Sequence, residues 1–195
     1  GYHSPGTNLI SCDFTYPTNR ELLSLKLEWA PSLPAGWTLD TASGDGSPQV
    51  TNGTEIVFTG SLNTNPIAFS YTVITPAGES GAKDIAADVE YQLSGMINPS
   101  TIQALPDPLV MTQLQHLVVS SAHEGAVPAT GTHSYTSGTV VACMITNSPV
   151  ELGILQTRYV CTDWALTGCT DTNGLSSGTG TNVTVPLTND ADLVW

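Results

Sequence analysis

The chain has 195 residues, of which 40% are hydrophobic and only 11% are charged, so it can bury a core beneath an unusually uncharged surface. It carries 4 Lys and Arg against 17 Asp and Glu, which gives a formal net charge of −13. This balance argues against binding to nucleic acid or to an anionic membrane surface, because both require clustered cations. No apolar run approaches the length of a membrane span, so we expect no membrane insertion.

Short alternating strands are predicted from residue 8 to about residue 112. In the segment NLISCDFTY, side chains of opposite character alternate with a period of two. The next segment, RELLSLKLEW, is ambiguous, because Thr18 and Glu21 have the spacing of a helix capping box. Its leucines and Trp29 nevertheless alternate with polar residues between two bounding prolines, so this segment is also predicted to be a strand.

The remainder of the first half continues as strands and turns. Turn-forming segments, PSLPAGW and SGDGSP, precede three further strands, EIVFTG, PIAFSYTVITP and IAADVEYQLSGM. Several short strands at this spacing are typical of a β-sandwich. Three prolines between positions 98 and 111 stiffen the chain and remove backbone donors. We therefore predict a first domain over residues 1–112, a sandwich with a proline-rich exit linker.

The second half, residues 113–195, is again predicted to be β-rich. LQHLVVSS, TVVACMITN and TRYVCTDWAL read as strands, and TNVTVPLTN and ADLVW end the chain in the same way. Between them, the glycine- and threonine-rich stretch TGCTDTNGLSSGTGTN reads as a long loop. The predicted fold class is therefore all-β, with two small β domains.

The side chains that could carry catalysis or hold a metal form no recognisable motif. The histidines are scattered along the chain, at His3, His116, His123 and His133. The run SSAHEG places Ser, His and Glu side by side, but a triad is assembled in space, so a polar turn explains the run. Asp40 and Asp45 could bind calcium, although the calcium-loop pattern is absent. Asp84, Asp88 and Glu90 are an even number of residues apart, so they would share one face of a strand. A solvent-exposed strand face explains these three carboxylates. We expect no enzyme activity, no metal and no cofactor.

The second domain contains a series of glycine, aromatic, valine and cysteine positions that resembles the divergent internalin-B-type repeat, a β-rich module of bacterial surface proteins. The matching residues are Leu117, Val119, Gly125, Pro128, Gly131, His133, Tyr135, Gly138, Val141, Cys143, Tyr159, Cys161, Trp164, Val183 and Val185. The long spacer after Trp164, with Cys169, departs from the usual repeat. The resemblance implies turns at Gly131 and Gly138 and a hydrogen-bonding role for His133.

The first domain, with LPAGW, SGDGSP, IVFTGSL and VEYQLSGM, looks like the Ig-like or cohesin-like sandwich module found beside such repeats in large exported bacterial proteins. Together the two resemblances imply a bacterial protein that is extracellular and lies at the cell surface.

The four cysteines have no C-x-x-C spacing, so a zinc site is not indicated. In an exported β-protein they are expected to form disulfides. Because both match positions of the repeat, we pair Cys143 with Cys161, a bond that would stabilise the fold by roughly 3 kcal/mol. The alternative is that one of the two is a small buried side chain. Cys12 and Cys169 would then join the two domains, join one subunit to the next, or stay free.

The first hypothesis for function is a non-enzymatic structural protein, a subunit of a bacterial cell-surface filament. Copies would self-associate into a homopolymer by head-to-tail docking or by strand addition. The expected assembly elements are the two terminal segments, and an isolated subunit would leave the last side chains of the chain exposed. The residues concerned are Tyr2, Leu9, Ile10, Leu193 and Trp195.

The alternative hypothesis is an adhesin-like module of a larger surface protein, which binds a glycan or protein ligand. Trp29 and Trp37 flank the segment PSLPAG and could form an aromatic platform for such a ligand. The loop at 171–182 is the other candidate binding element. Tryptophan also fills cores and domain interfaces, so the sequence leaves both roles for these two residues open.

Overall fold

The computed structural model describes residues 1–152 and 157–195, without the side chains at positions 24–26, 152 and 157. Every regular element in this part of the chain is a β-strand, which confirms the predicted all-β class. The described residues contain no helix that is long and apolar enough to cross a membrane. The strands group into two compact units, Tyr2–Thr112 and Gln113–Trp195, and Gly1 groups with the second.

The first unit is built from two antiparallel sheets. Its strands are β1 (Gly6–Phe14), β2 (Leu22–Ser32), β3 (Thr38–Gly44), β4 (Pro48–Thr51), β5 (Glu55–Phe58), β6 (Ile67–Thr75), β7 (Lys83–Leu93), β8 (Ser100–Gln103) and β9 (Leu109–Met111). One sheet has the order β1, β6, β3. The other has the order β4, β5, β2, β7, β8, and β9 also pairs with the start of β7.

A period of two decides which side chains of these strands are buried. Along β6 the buried side chains alternate with more exposed ones, and those of the core face are Ile67, Phe69, Tyr71, Val73 and Thr75. Strand β7 follows the same rule and buries Ile85, Ala87, Val89 and Leu93. The predicted solvated face of β7 is confirmed, because three carboxylates are exposed on it: Asp84, Asp88 and Glu90.

The ambiguous segment is the strand β2, as its alternation predicts. Leu27 and Trp29 are buried in the core. Nearer the start of the strand, Leu22 is buried and Leu23 is only partly so, because the pairing of β2 with β7 shifts register between Leu22 and Leu27. The side chain of Leu25, which belongs to the same predicted face, lies outside the described residues.

Aromatic rings join the two sheets of the first unit. Phe69 of β6 meets Trp29 of β2 edge-on, with ring centroids 5.1 Å apart. The same ring meets Phe58 of β5 at 4.9 Å, again edge-on. Edge-on pairs of this kind contribute about 1 kcal/mol each beyond the area they bury. Because Phe69 belongs to one sheet and its two partners to the other, the core of the unit lies between the sheets.

The second unit also has its core between sheets. Its strands are β10 (Leu114–Ser120), β11 (Ala126–Val127), β12 (Gly131–Thr136), β13 (Thr139–Ile145), β14 (Val150–Leu152), β15 (Thr157–Tyr159), β16 (Asp163–Thr167), β17 (Ser177–Thr179), β18 (Asn182–Leu187) and β19 (Ala191–Val194). The larger sheet has the order β12, β10, β19, β16, β17, and the smaller has the order β11, β13, β18. Strands β14 and β15 pair with each other.

The last strand of the chain lies at the centre of the larger sheet. β19 is parallel to β10 on one side and antiparallel to β16 on the other. Leu193 of β19 is fully buried, as are Leu117 of β10 and Val185 of β18 in the facing sheet. The core of the second unit therefore depends on a strand contributed by the final residues of the chain.

Candidate functional site

The histidines, cysteines and acidic side chains of the described residues are not arranged as a metal site. In residues 1–152 and 157–195, no group of three or more His, Cys, Asp or Glu is placed to hold a metal ion. His133 Nε2 lies 2.7 Å from the carbonyl oxygen of Ala129, which is the hydrogen-bonding role expected for this residue. His116 Nδ1 lies 3.1 Å from Ser134 Oγ on the neighbouring strand. The ring of His133 thus contacts a backbone carbonyl in the segment just before its own strand, and the ring of His116 contacts a side chain on the paired strand.

The other candidate polar groups have local structural partners. Ser121 Oγ donates to the carbonyl oxygen of His123 at 2.7 Å, which closes a turn within the Ser–His–Glu run. Asp45 Oδ2 accepts hydrogen bonds from Thr64 Oγ1 at 3.0 Å and from the backbone N–H of Ala68 at 3.1 Å. These contacts stabilise turns and strand ends.

Strand β1 is a long, regular edge of the first unit. It pairs with β6 without interruption from Gly6 to Phe14, and no strand of the described chain pairs with its outer side. Leu9 projects from it with 64% of its surface exposed, and the side chain of Ser11 is exposed on the same face. An edge strand of this kind presents unpaired N–H and C=O groups that can template a further strand.

A cleft of about 400 Å³ lies beside this edge, between the two sheets of the first unit. Its walls are the second half of β1, strands β7 and β8, and the connection after β8. Among the described residues that line it, Asp13 is the only charged one, and most of the others are apolar. A strand added along β1 would therefore find an apolar wall for its inward side chains.

Most other edges of the larger sheets are short, irregular or interrupted by proline. β3 shifts register between Leu39 and Ala42, and β4 begins with Pro48. β18 contains Pro186, while β8, β11 and β17 have four, two and three residues. Proteins use these features to prevent unwanted edge-to-edge pairing. These strands are therefore poor templates for a further strand.

Strand β12 is the corresponding unprotected edge of the second unit. It pairs with β10 in unbroken register over six residues, Gly131–Thr136, and contains no Pro, Lys or Arg. Its outward side chains are small, polar and exposed: Thr132, Ser134 and Thr136. Within the described chain, each unit thus offers one long, regular, unprotected edge, which is β1 in the first unit and β12 in the second.

The predicted assembly residues divide into exposed and buried ones. Leu9 is exposed, whereas Tyr2, Ile10 and Leu193 are each 5% exposed or less. The expectation that an isolated subunit exposes the end of the chain is wrong for Leu193, because β19 occupies the centre of its own sheet. Trp195 is partly buried against the same core. The role of these five residues in assembly stays a prediction.

Trp29 and Trp37 are core residues of the first unit, with 6% and 5% of their surfaces exposed. Trp29 packs against Phe69, and Trp37 meets the ring of Tyr2 edge-on at a centroid distance of 5.0 Å. Neither indole presents a face to solvent, so the two rings do not form an exposed platform in this structure.

A second cavity, of about 320 Å³, lies in the second unit beside β14 and β15. In its wall the rings of His123 and Tyr159 lie with their centroids 4.2 Å apart. Glu124 and Asp163 contribute carboxylates, and Trp195 contributes a third aromatic ring. Aromatic faces combined with hydrogen-bonding carboxylates suit a polar organic ligand such as a sugar.

The structure places no S–S bond among the four cysteines, all of which lie in the described part of the chain. Cys143 is almost fully buried in the core of the second unit, and Cys169 packs against that core. The Sγ atom of Cys161 lies instead near two backbone oxygens, that of Asp163 at 3.8 Å and that of Gly180 at 4.0 Å. The predicted Cys143–Cys161 bond stays a prediction.

Burial keeps two of these thiols protonated near neutral pH. It raises the pKa of Cys143 to about 11, and the neighbouring Cys169 adds to this effect. It raises the pKa of Cys12 to about 12, with a further contribution from the carboxylate of Asp13. Because the thiolate is the reactive form, neither group is an activated nucleophile. The proposed roles of Cys12 and Cys169 in joining domains or subunits stay predictions.

No protein-family model matches the chain, and no curated protein matches it in sequence. Among solved structures, the chain is similar to the 35 kDa C-terminal fragment of the major pilin GBS80 of Streptococcus agalactiae. The TM-score is 0.41 at 10% identity, over 98% of this chain and 73% of that one. It is also similar to the full-length major pilin SpaD of Corynebacterium diphtheriae. There the TM-score is 0.37 at 13% identity, over 91% of this chain and 46% of that one. Neither comparison supports the internalin-B-type repeat or its arrangement behind a sandwich module, and both stay predictions.

Proposed function

We propose that this chain is a non-enzymatic, extracellular structural subunit that self-associates into a cell-surface filament. The observation that carries the proposal is the pair of unprotected edges, β1 in one unit and β12 in the other. Most other edges of the larger sheets are short, bulged or interrupted by proline, so these two are exceptions that self-association would explain.

The proposed contact pairs β1 of one copy with β12 of the next. The two edges differ in sequence and belong to different units, so the contact is heterologous and leaves a free β1 and a free β12 at the two ends. A pair of copies joined in this way can therefore still bind a further copy at either end. Repeated addition therefore gives an open filament, provided that the rotation between copies does not close a ring.

Backbone pairing alone would bind weakly, because each new hydrogen bond replaces one to water and contributes only about 1 kcal/mol. The exposed side chain of Leu9 and the apolar cleft beside β1 supply the additional burial. Burial of apolar area stabilises the contact by about 25 cal/mol per Å² before the cost of association is subtracted. The exposed leucine on the edge is therefore the side chain whose change tests the proposal.

The experiment compares lysine substitutions on edge strands with matched ones on inner strands. Leu9→Lys places a cation on the β1 edge, and Ile74→Lys places one on the partner strand β6, where Ile74 is 42% exposed. Thr132→Lys tests β12, and Val140→Lys, at a 58% exposed position of the inner strand β13, is its control. Size measurement under native conditions and negative-stain micrographs report the assembly.

We expect Leu9→Lys and Thr132→Lys to give single copies while the two control variants assemble as the unchanged chain does. Circular dichroism confirms that all four variants remain folded. Single copies of the unchanged chain at every concentration, or filaments unaffected by either edge lysine, would refute edge pairing.

A second candidate function is ligand binding at the cavity beside β14 and β15. The observation that favours it is the close pair of tilted rings, His123 and Tyr159, with centroids 4.2 Å apart next to two carboxylates. Tyr159 is 41% exposed, so Tyr159→Ala removes a wall of the cavity at little cost to the core. Binding to a glycan array that Tyr159→Ala abolishes, in a protein that stays a single copy, would favour this function over the filament.

A further inference from the structure

Cys143 and Cys169 contribute to one hydrophobic cluster in the second unit. Cys143 lies on β13 with 1% of its surface exposed, and Cys169 packs against the same cluster from the segment after β16. β13 belongs to the smaller sheet and β16 to the larger one. The two cysteines therefore reach the same core from different elements, Cys143 from a strand of the smaller sheet and Cys169 from a connection that leaves the larger one.

The segment that carries Cys169 leaves the larger sheet at a point where two stretches of backbone approach closely. Gly168 has a φ of +82°, and a Cβ at this position would lie 2.0 Å from the carbonyl oxygen of Asp190, just before β19. Only glycine fits this close approach of backbone to backbone. The start of the segment is therefore fixed against the centre of the larger sheet.

Three residues after Cys169, the segment is fixed to the smaller sheet. The backbone N–H of Thr172 donates to the carbonyl oxygen of Thr184 on β18 at 3.1 Å. β18 is the strand that pairs with β13, and the register partner of Cys143 is Val183, next to Thr184. Cys169 is thus held between two backbone anchors, and the second of them is one strand away from Cys143.

The turn that follows Cys169 gives the segment further rigidity. Asp171 is only 7% exposed, and its Oδ1 atom accepts hydrogen bonds from the backbone N–H of Asn173 at 2.8 Å and of Leu175 at 2.7 Å. Because these bonds begin two residues from Cys169, they restrict the positions that its side chain can reach. The thiol of Cys169 also acts electrostatically on that of Cys143 and raises its pKa, which agrees with their proximity.

We propose that Cys143 and Cys169, and not Cys143 and Cys161, form the disulfide of the second unit. The bond would link the smaller sheet to the segment that follows β16 and cross-link the core from inside. Cys161 is a poorer partner because its Sγ atom lies against the backbone oxygens of Asp163 and Gly180, outside the cluster that holds Cys143.

The oxidation needs a two-electron acceptor, for which a soluble disulfide such as glutathione disulfide is the proposed co-reactant. One Cys thiolate attacks a sulfur of the soluble disulfide, forms a mixed disulfide and releases one thiol. The second Cys then attacks the mixed disulfide and releases the other thiol. One protein S–S bond forms, one small-molecule S–S bond breaks, and the two protein protons end on the two released thiols.

Peptide mapping without reduction tests the proposal, because two proteases separate all four cysteines. The full chain is refolded with glutathione disulfide, its remaining thiols are alkylated in acid, and it is cut with trypsin and with a protease that cleaves before Asp. Cys12 then falls in peptide 1–12, Cys143 in 107–158, Cys161 in 159–162 and Cys169 in 163–170. We expect peptide 107–158 linked to 163–170, with 159–162 alkylated.

A link between 107–158 and 159–162, or alkylation of all four cysteines after oxidation, would overturn the proposal. Variants provide a second measurement: in Cys169→Ser, added reductant should not change the melting temperature of the unit. In the unchanged chain and in the controls Cys161→Ser and Cys12→Ser, reductant should lower it by about 10 °C. Equal sensitivity of Cys169→Ser and the controls would also refute the bond, and this variant avoids any change in the buried side chain of Cys143.

Discussion

The phenolic hydroxyl of Tyr2 donates a hydrogen bond to the carbonyl oxygen of Gly81 at 2.8 Å, between residues 79 positions apart in the chain. The side chain is fully buried, and its ring packs edge-on against Trp37. Tyr2 is therefore part of the first unit's core, and detaching it from its own unit would cost the energy of these contacts.

Removing this hydrogen bond should destabilise the first unit. Tyr2→Phe keeps the ring and leaves the carbonyl oxygen of Gly81 without its donor, so we expect a loss of about 1 kcal/mol in the free energy of unfolding. Urea denaturation measures the loss. Tyr159→Phe, at a position 41% exposed, is the control and should change stability by less than about 0.5 kcal/mol. Equal stabilities of the two variants would show that the hydroxyl of Tyr2 contributes nothing.

The last strand should be needed for the second unit to fold. Leu193→Ala removes a fully buried side chain from β19 and should cost about 2–5 kcal/mol, whereas Val194→Ala, at the next and 50% exposed position, should cost far less. Thermal unfolding of the two variants checks the difference. If both are as stable as the unchanged chain, or if the chain without residues 191–195 stays folded, β19 is dispensable and free to pair with another copy.

Trp29 should behave as a core residue and not as a ligand platform. Trp29→Ala removes the edge-on partner of Phe69 from between the sheets, so we expect a loss of about 3–5 kcal/mol. Trp29→Phe keeps an aromatic ring at the site and should cost less. Loss of ligand binding in Trp29→Ala with unchanged urea unfolding would contradict this assignment and support a ligand-binding role for Trp29.

Asp171 should make the second unit sensitive to acid. Hydrogen bonds from backbone N–H groups lower the pKa of this carboxyl below its usual 3.8, and the bond from Leu175 has the largest effect. Because the folded-state pKa is the lower one, the stabilisation is complete above the unfolded-state pKa of about 4 and is lost as the pH falls through the folded-state value. Asp171→Asn should therefore lower the urea midpoint at neutral pH.

The difference between Asp171→Asn and the unchanged chain should become smaller as the pH is lowered through this range. Asp163→Asn, which changes the same charge at an exposed position, is the matched control. A difference that does not change with pH would mean that the charge of Asp171 has no part in holding the turn.

Assembly should become stronger as salt is added. Each copy carries a net charge of −13, so copies repel one another. The screening length falls from about 30 Å at 0.01 M salt to about 8 Å at 0.15 M, which weakens this repulsion while leaving short-range strand pairing intact. Light scattering over a salt series measures the midpoint of assembly. Filaments that dissolve as salt rises would indicate a contact between opposite charges in place of edge pairing.

The strands themselves were predictable, because their signal is local. The alternation along PIAFSYTVIT and IAADVEYQL identifies β6 and β7 and the faces that they bury. The same alternation also correctly predicted a strand at β2, although Thr18 and Glu21 have the spacing of a helix capping box. It placed Leu23 on the core face, where the structure buries Leu22, because a register shift depends on the partner strand and leaves no mark in the local pattern.

The candidate edges could not be identified from the sequence. The sequence of β12, GTHSYT, contains no proline or lysine, but nothing in it shows that this strand lies at the edge of its sheet. The same holds for Cys169, which lies in a loop-like stretch and reaches the core of Cys143 only because the segment crosses between sheets. Spacing along the chain gave no indication of that neighbour.

The sequence by itself determined that this protein is made of strands, that its surface carries few charges of mostly one sign, and that one face of each long strand is buried. These properties follow from side-chain alternation and composition, which act between residues close in the chain. Only the tertiary structure decided that ADLVW lies between β10 and β16, that both tryptophans of the first unit are buried, and that β1 and β12 are left open. Each of these depends on pairing between distant strands, where many registers satisfy the same alternation and only the packing of the whole unit selects one.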